Sequence, residues 1–222
     1  MQKILKQVEK TRVFDILIIG SGAAGNSLAL QLPSDMSIGL ISKTELHEGS
    51  TYYAQGGISA VFSKPDSIEL HVEDTMKAGA GLCRANIVKA VANDSKEIIK
   101  WLLDQGVKFT KNNVGANNKL HLTKEGGHTH PRIVHADDKT GKVIQDSLIS
   151  GVKKKNNIEL YTHHVAIDLI TKDQKDKNVK RCVGCYILNK KNNHIDIFKA
   201  KFIVLATGGA NKVYLYTSNP DT

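Results

Sequence analysis

Short apolar runs near the start of the chain predict a parallel sheet. Residues 14–19 are rich in Ile and Leu, which is typical of a strand buried on both faces. A glycine-rich segment follows, and residues 26–32 have the pattern of a helix that ends at Pro33. Residues 38–41 form a second apolar run. This order predicts a right-handed strand–turn–helix–strand unit.

The middle of the chain predicts helices between long loops. Apolar residues recur at helical spacing over residues 67–78, 84–104 and 140–154, and Gly106 follows the second of these as a stop signal. Residues 42–65 show no sustained period, and residues 111–131 are rich in Asn, Gly and His, typical of loop with a short hairpin. Long loops in compact domains are commonly functional.

The last third of the chain predicts strands. They cover residues 158–161, 165–171, 179–188, 195–199 and 201–206. The third and fourth are predicted to pair antiparallel around Asn192-Asn193, and the fifth to be a separate strand before Thr207-Gly208-Gly209. We therefore expect an α/β, Rossmann-like domain with a parallel sheet and a small antiparallel β meander.

Composition changes this picture little. Of the 222 residues, 41% are hydrophobic and 24% charged, which describes a soluble globular chain. No apolar run approaches the roughly 20 residues that span a bilayer. Three cysteines do not make a disulfide scaffold, so we expect a reducing, cytoplasmic location. The net charge of +9 comes from scattered lysines without interleaved aromatic residues, which favours a solvated surface over a nucleic-acid site.

The glycine-rich segment has the spacing of a dinucleotide-binding turn. Gly20, Gly22 and Gly25 follow the first strand and open the first helix. The first glycine permits a tight turn, the second lets the backbone approach a pyrophosphate, and the third lets helix and strand pack closely. The helix N-terminus then offers N–H groups to the phosphates.

The second strand lacks the acidic residue that usually holds the adenosine ribose. It runs into Ser42 and Lys43, and the next carboxylate is Glu45. The ribose could be held by Ser42, by the backbone, or by the neighbourhood of Lys43. The pattern disfavours an ordinary NAD site more than an FAD site.

Two further patterns resemble metal or redox sites and are set aside. Cys182-x-x-Cys185 lies in a predicted strand, where an odd separation points the side chains to opposite faces, so structural thiols are favoured. His128, His130 and His135 lack a completing ligand, so no metal is predicted. Trp101 is predicted to lie in the core.

The segment Ser50-Thr51-Tyr52-Tyr53-Ala54-Gln55-Gly56-Gly57, with the turn before it, resembles the succinate dehydrogenase and fumarate reductase flavoprotein superfamily. Within it the chain resembles the L-aspartate oxidase family. The supporting stretches cover nearly the whole chain in order; they are residues 14–25, 48–61, 66–81, 122–130, 135–141 and 206–221.

The resemblance implies FAD-dependent oxidation of L-aspartate to iminoaspartate, the first step of NAD biosynthesis through quinolinate. Hydride would pass from the substrate Cα to flavin N5, and the electrons would go to O2 or fumarate. Quinolinate synthase is the implied partner that receives iminoaspartate.

The resemblance also implies the site residues. Those carried over to FAD are Gly20, Ser21, Gly22, Ala23, Ala24, Gly25, Lys43, Ser50, Thr51, Tyr52, Tyr53, Ala54, Gln55, Gly56, Gly57, Ala166, Thr207, Gly208 and Asp221. Ser50 stands where the dehydrogenases carry a histidine linked to the flavin, so FAD is expected to be noncovalent. Glu125 matches the residue that orients aspartate, since a carboxylate pairs with an ammonium and repels a plain dicarboxylate. His128 is a possible pocket residue.

The family's capping domain, the rest of its FAD-binding domain and its C-terminal helical domain have no counterpart in the sequence. The capping domain carries the family's catalytic arginine. We therefore expect residues 1–222 to be an N-terminal part of the FAD-binding domain, inactive alone. The alternatives are a fragment of a succinate dehydrogenase or fumarate reductase flavoprotein, or a non-enzymatic FAD-binding remnant.

Overall fold

The computed structural model describes residues 8–62, 64–112, 119–173, 179–210 and 213–220. The chain divides into two compact units. The first contains the residues up to Tyr52 and those from Leu148 onward, and the second contains Tyr53–Ser147.

The first unit is built on a six-stranded sheet. The strand order is β6-β2-β1-β9-β8-β7, with the first four strands parallel and the last two antiparallel to their neighbours. The elements of this unit are β1 (Val8–Ile19), α1 (Ala23–Gln31), β2 (Ile38–Ile41), α2 (Ser50–Tyr53), β6 (Ile158–Tyr161), β7 (His164–Asp173), β8 (Lys180–Asn189) and β9 (His194–Leu205). The predicted α/β class, parallel sheet and antiparallel meander are confirmed.

Both faces of the sheet are buried because β1 is apolar at successive positions. Leu17 and Ile19 join one apolar cluster, in which the rings of Phe14, Tyr161 and Phe198 pack at centroid distances of 4.8–6.0 Å. The neighbouring positions join a second cluster on the other face; its members include Ile16, Ile18, Ala29, Ile38, Leu40, Ile149 and Val152.

The prediction of two separate strands at the end of the meander is wrong. Residues 194–205 form the single strand β9, which pairs with β1 on one side and with β8 on the other. Exposed lysines stand on either side of the buried Ala200, between the two predicted strands. Lys201 Nζ lies 2.6 Å from Asp15 Oδ1. Pairing on both sides keeps the strand continuous through them.

The second unit combines helices with a small antiparallel sheet of order β3-β5-β4. Its elements are β3 (Ile58–Ser59), α3 (Ile68–Ala78), α4 (Ala85–Asp104), β4 (Leu122–Thr123), β5 (Ile133–Val134) and the first part of α5 (Thr140–Lys153), which belongs to the first unit from Leu148 onward. The Ser67 side chain caps α3 by accepting a hydrogen bond from the Leu70 N–H, 3.2 Å away. Trp101, predicted to be core, is only half-buried on α4. Among the described residues, no helix has the length and apolar character needed to cross a membrane.

Candidate functional site

The turn between β1 and α1 is held in place by close backbone contacts. Gly20 has φ +121°, a conformation that favours glycine. A Cβ on Gly20 would lie 2.1 Å from the Ala206 carbonyl oxygen and 3.3 Å from the Thr207 nitrogen. Ala206 and Thr207, which directly follow β9, therefore lie against the first glycine of the turn.

The other two glycines of the turn have different surroundings. A Cβ on Gly25 would lie 1.9 Å from the Gly20 carbonyl oxygen, whereas a Cβ on Gly22 would meet only Thr51 Oγ1, at 3.4 Å. Gly22 is the N-cap of α1. The space that a side chain would occupy at this position is open. An open face at a helix N-terminus suits an anion such as a pyrophosphate.

Asn26, which the sequence pattern did not indicate, stabilises the β1–α1 turn through a buried side-chain hydrogen bond. It is fully buried, and its Nδ2 donates a 2.6 Å hydrogen bond to the Ser21 carbonyl oxygen. Its Oδ1 is buried without a hydrogen-bond partner among the described residues. The Ala23 N–H is also engaged, since it donates to Thr51 Oγ1 at 3.1 Å.

The loop after β2 is tied to the same turn. Ser21 Oγ lies 3.0 Å from Ser42 Oγ and 3.1 Å from the Leu46 carbonyl oxygen, and Ser42 Oγ donates to the Glu45 carbonyl oxygen at 3.1 Å. Ser42 is only 4% exposed, whereas Lys43 is exposed. The Ser42 hydroxyl therefore serves the fold rather than a ligand.

The remaining predicted cofactor residues of the first unit lie on α2, β7 and the last segment. Ser50 is exposed and its Oγ donates to Asn219 Oδ1 at 3.3 Å. The ring centroids of Tyr52 and His47 are 5.4 Å apart. Ala166 lies in β7 and pairs with Ile187 of β8. Its side chain packs against the apolar cluster that contains Phe14, so only its backbone could meet a ligand. Asp221 lies outside the described residues.

The segment Tyr53–Gly57 belongs to the second unit and is exposed. The Ala54 carbonyl oxygen accepts a 2.9 Å hydrogen bond from the Gly141 N–H. A Cβ on Gly57 would lie 2.4 Å from the Val134 carbonyl oxygen, whereas a Cβ on Gly56 would meet nothing within 4 Å. Gly57 is thus required by packing against β5, whereas Gly56 has open space where a side chain would lie.

Glu125 and His128 lie in one turn of the second unit. The His128 N–H donates to the Glu125 carbonyl oxygen at 3.0 Å, and the Glu125 side chain is exposed. His128 Nε2 lies 3.5 Å from Ser59 Oγ, and its ring stands edge-on to that of His71 with centroids 6.1 Å apart. The Glu125 carboxylate is thus open to solvent, and contacts with Ser59 and His71 orient the His128 imidazole.

Sequence reasoning missed a buried ionic cluster that supports this turn. Arg132 is fully buried. Its Nε and Nη2 donate to the two oxygens of Asp66 at 2.9 and 2.7 Å, and its Nη1 donates to Asp74 Oδ2 at 2.6 Å. Asp74 Oδ2 also accepts from the Thr129 N–H and hydroxyl at 2.8 and 2.9 Å. The cluster fixes Thr129, which directly follows His128.

The cluster shifts the titration of its members. Burial disfavours the Asp74 carboxylate, but hydrogen bonds from Thr129 and Arg132 outweigh it and lower the pKa of Asp74 to about 2. Burial also lowers the pKa of His71, and the charge of Arg132 lowers it further. His71 Nδ1 lies 3.3 Å from Arg132 Nη1, which requires a neutral imidazole that accepts the hydrogen bond.

We expect His71 to make stability fall with acidification. Its pKa is lowered by folding, so below the ordinary value of 6.5 the unfolded chain binds the proton that the folded chain resists. The unfolding free energy should therefore decrease as pH falls through that value. Urea unfolding at about pH 7.5, 6.5 and 5.5 should show a smaller decrease in His71→Gln than in the unmodified chain. Equal decreases in the two proteins would contradict this assignment.

The described residues form no cluster of metal ligands, and the Cys185 thiol is buried. The part of the chain that the structure describes contains no group of three or more His, Cys, Asp or Glu side chains placed to hold a metal ion. Cys185 is buried, and burial raises the pKa of its thiol to about 11, so it is protonated and unreactive at neutral pH.

Comparisons with known proteins point to one family. Residues 15–222 match the model of the FAD binding domain. The chain is 52% identical over 211 residues to L-aspartate oxidase from Pseudomonas aeruginosa and 50% identical over 209 residues to the Vibrio cholerae enzyme, each match covering 93% of this chain. It spans 39% of the length of both relatives. Among solved structures, E. coli quinol fumarate reductase is similar, with a TM-score of 0.87 at 27% identity over 96% of this chain and 35% of that one.

Proposed function

The chain belongs to the FAD-binding domain family, and from that membership we propose that it is the N-terminal FAD-binding part of an L-aspartate oxidase. The observation that carries the proposal is the β1–α1 turn. Its first and third glycines are closed against backbone atoms, while Gly22 alone leaves an open face at the helix N-terminus. That arrangement fits the pyrophosphate of FAD.

We propose L-aspartate as the substrate and iminoaspartate as the product. When bound, FAD would supply the two-electron acceptor for this oxidation, with O2 or fumarate as the final acceptor. Within this chain, the exposed Glu125 carboxylate would pair with the substrate ammonium. His128, held by Ser59 and the adjoining Thr129, would border the same pocket. Quinolinate synthase, acting in NAD biosynthesis, is the proposed recipient of the product.

The test is a titration of FAD into the purified 222-residue chain, followed by quenching of flavin fluorescence. Saturable binding with a stoichiometry near one is the expected result, since the phosphate turn is formed within the first unit. Absence of binding at FAD concentrations up to about 1 mM would contradict the proposal that this segment carries the site.

We expect the flavin to be held without a covalent bond. Ser50 occupies the position at which the dehydrogenase relatives are expected to carry the linking histidine, and its hydroxyl donates to Asn219. Unfolding the FAD-loaded chain in guanidinium, followed by filtration, should release all the yellow colour into the filtrate. Flavin that stays with the denatured chain would instead favour the alternative of a succinate dehydrogenase or fumarate reductase flavoprotein, which the likeness to quinol fumarate reductase supports.

A further inference from the structure

The first unit leaves one part of a dinucleotide site unassigned, namely the group that receives the hydroxyls of the adenosine ribose. Dinucleotide-binding folds usually supply a carboxylate at the end of the second strand. Here β2 ends at Ile41 and is followed by Ser42 and Lys43. Ser42 is buried, and its hydroxyl is used by Ser21 and by the Glu45 carbonyl. Lys43 carries an ammonium, which donates hydrogen bonds and cannot accept one from a hydroxyl.

Glu45 is the first carboxylate beyond β2, and the structure ties it to the phosphate turn. Its carbonyl oxygen accepts a hydrogen bond from the Ser42 hydroxyl, which in turn accepts one from the Ser21 hydroxyl. The Glu45 side chain is 56% exposed. It is therefore close to the dinucleotide turn in the fold and open to a ligand from solvent.

His163 holds the Glu45 carboxylate in one orientation. His163 Nε2 lies 2.7 Å from Glu45 Oε1. The backbone of His163 is fixed at φ +57°, with its N–H donating to the Thr44 carbonyl and its carbonyl accepting from the Lys190 N–H. Glu45 Oε2 has no hydrogen-bond partner among the described residues, so one oxygen is anchored and the other is available.

We propose that Glu45, oriented by His163, accepts a hydrogen bond from a hydroxyl of the adenosine ribose of FAD. The hydrogen bond from His163 lowers the pKa of Glu45, so the carboxylate is ionised at neutral pH and can accept. This inference rests on the proposed FAD-binding function and adds a residue that recognises the adenosine half of the cofactor. Glu45 binds the ligand directly, and His163 is a positioning residue.

The experiment compares ADP with 2′,3′-dideoxy-ADP as competitors of FAD in the fluorescence titration of the 222-residue chain. The unmodified chain should bind ADP about ten- to a hundredfold more tightly than the dideoxy nucleotide, as expected for hydrogen bonds to a charged acceptor. In Glu45→Gln this preference should shrink to a fewfold difference, because only the ADP affinity falls. His163→Gln should reduce the preference by a smaller factor.

Asp35→Asn is the matched control, because it removes an exposed carboxylate from the turn that precedes β2, at the opposite end of that strand. It should keep the full preference for ADP. Thermal denaturation should show similar stability for all variants, since an exposed ion pair contributes little. A full preference for ADP in Glu45→Gln would overturn the inference while leaving FAD binding intact. Failure of the unmodified chain to bind FAD would instead overturn the proposed function, and the inference with it.

Discussion

Replacing Arg132 by methionine is expected to lower the free energy of unfolding by about 3–5 kcal/mol, the usual cost of removing one partner from a buried ion pair. The substitution leaves the carboxylates of Asp66 and Asp74 buried at 5% and 8% side-chain exposure, without their cation. Thr129 still donates to Asp74, but those two hydrogen bonds cannot neutralise a buried charge. The measurement is urea denaturation at neutral pH, followed by far-UV circular dichroism.

The loss of unfolding free energy caused by Arg132→Met should become smaller as the pH falls. Without the guanidinium, the pKa of Asp74 rises from its value of about 2. The variant can then bind a proton at a higher pH than the unmodified chain. The stability gap between the two proteins should therefore narrow as pH falls toward about 4. A gap that stays constant in acid would show that the arginine acts through packing alone, and a gap that widens would contradict the ion-pair assignment.

Arg84→Met is the matched control. Arg84 is exposed at the N-cap of α4, and its side chain makes no capping hydrogen bond. This substitution should change the unfolding free energy by no more than about 0.5 kcal/mol. Combining Arg132→Met with Asp66→Asn and Asp74→Asn should recover part of the loss, because a neutral cluster no longer carries buried unpaired charges. A large loss in the control would mean that methionine itself is poorly tolerated on this unit.

The sequence predicted the features that depend on local pattern. The β1–α1–β2 unit was predictable because apolar runs and glycine spacing act over a few residues. The helices α3 and α4 were predictable for the same reason, and their ends match to within one residue. The continuity of β9 was not predictable locally, because it depends on pairing with β1 and β8, which are far along the chain.

The candidate site also combines features that local sequence predicts with features that depend on long-range contacts. The phosphate turn follows from three glycines in one short segment. Arg132, Asp66 and Asp74 could not be grouped from sequence, because Arg132 is 66 residues from Asp66 and 58 residues from Asp74. The pair of Glu45 and His163 is separated by 118 residues. Long-range ion pairs leave no periodic signal in the sequence.

Gly22→Val should weaken FAD binding on the order of a hundredfold while leaving stability nearly unchanged. Gly22 has φ −72° and ψ −172°, which valine adopts readily, and a Cβ there meets only Thr51 Oγ1 at 3.4 Å. The added side chain would occupy the face through which a pyrophosphate reaches the N–H groups of the turn. Losing one or two such charge-assisted hydrogen bonds accounts for the expected magnitude. Fluorescence titration and thermal denaturation of the same samples measure both effects.

Gly25→Ala should lower stability as well as FAD affinity. The difference from Gly22→Val shows which face of the turn the pyrophosphate contacts. A Cβ on Gly25 would lie 1.9 Å from the Gly20 carbonyl oxygen, so the turn itself must open, with a loss of stability of about 1–3 kcal/mol. FAD affinity should then fall together with the melting temperature. Ser34→Val, in the exposed turn beyond α1, controls for adding the same side chain and should change neither quantity. If Gly22→Val bound FAD as tightly as the unmodified chain, the pyrophosphate could not lie on the open face of the turn, even if Gly25→Ala lost binding through unfolding.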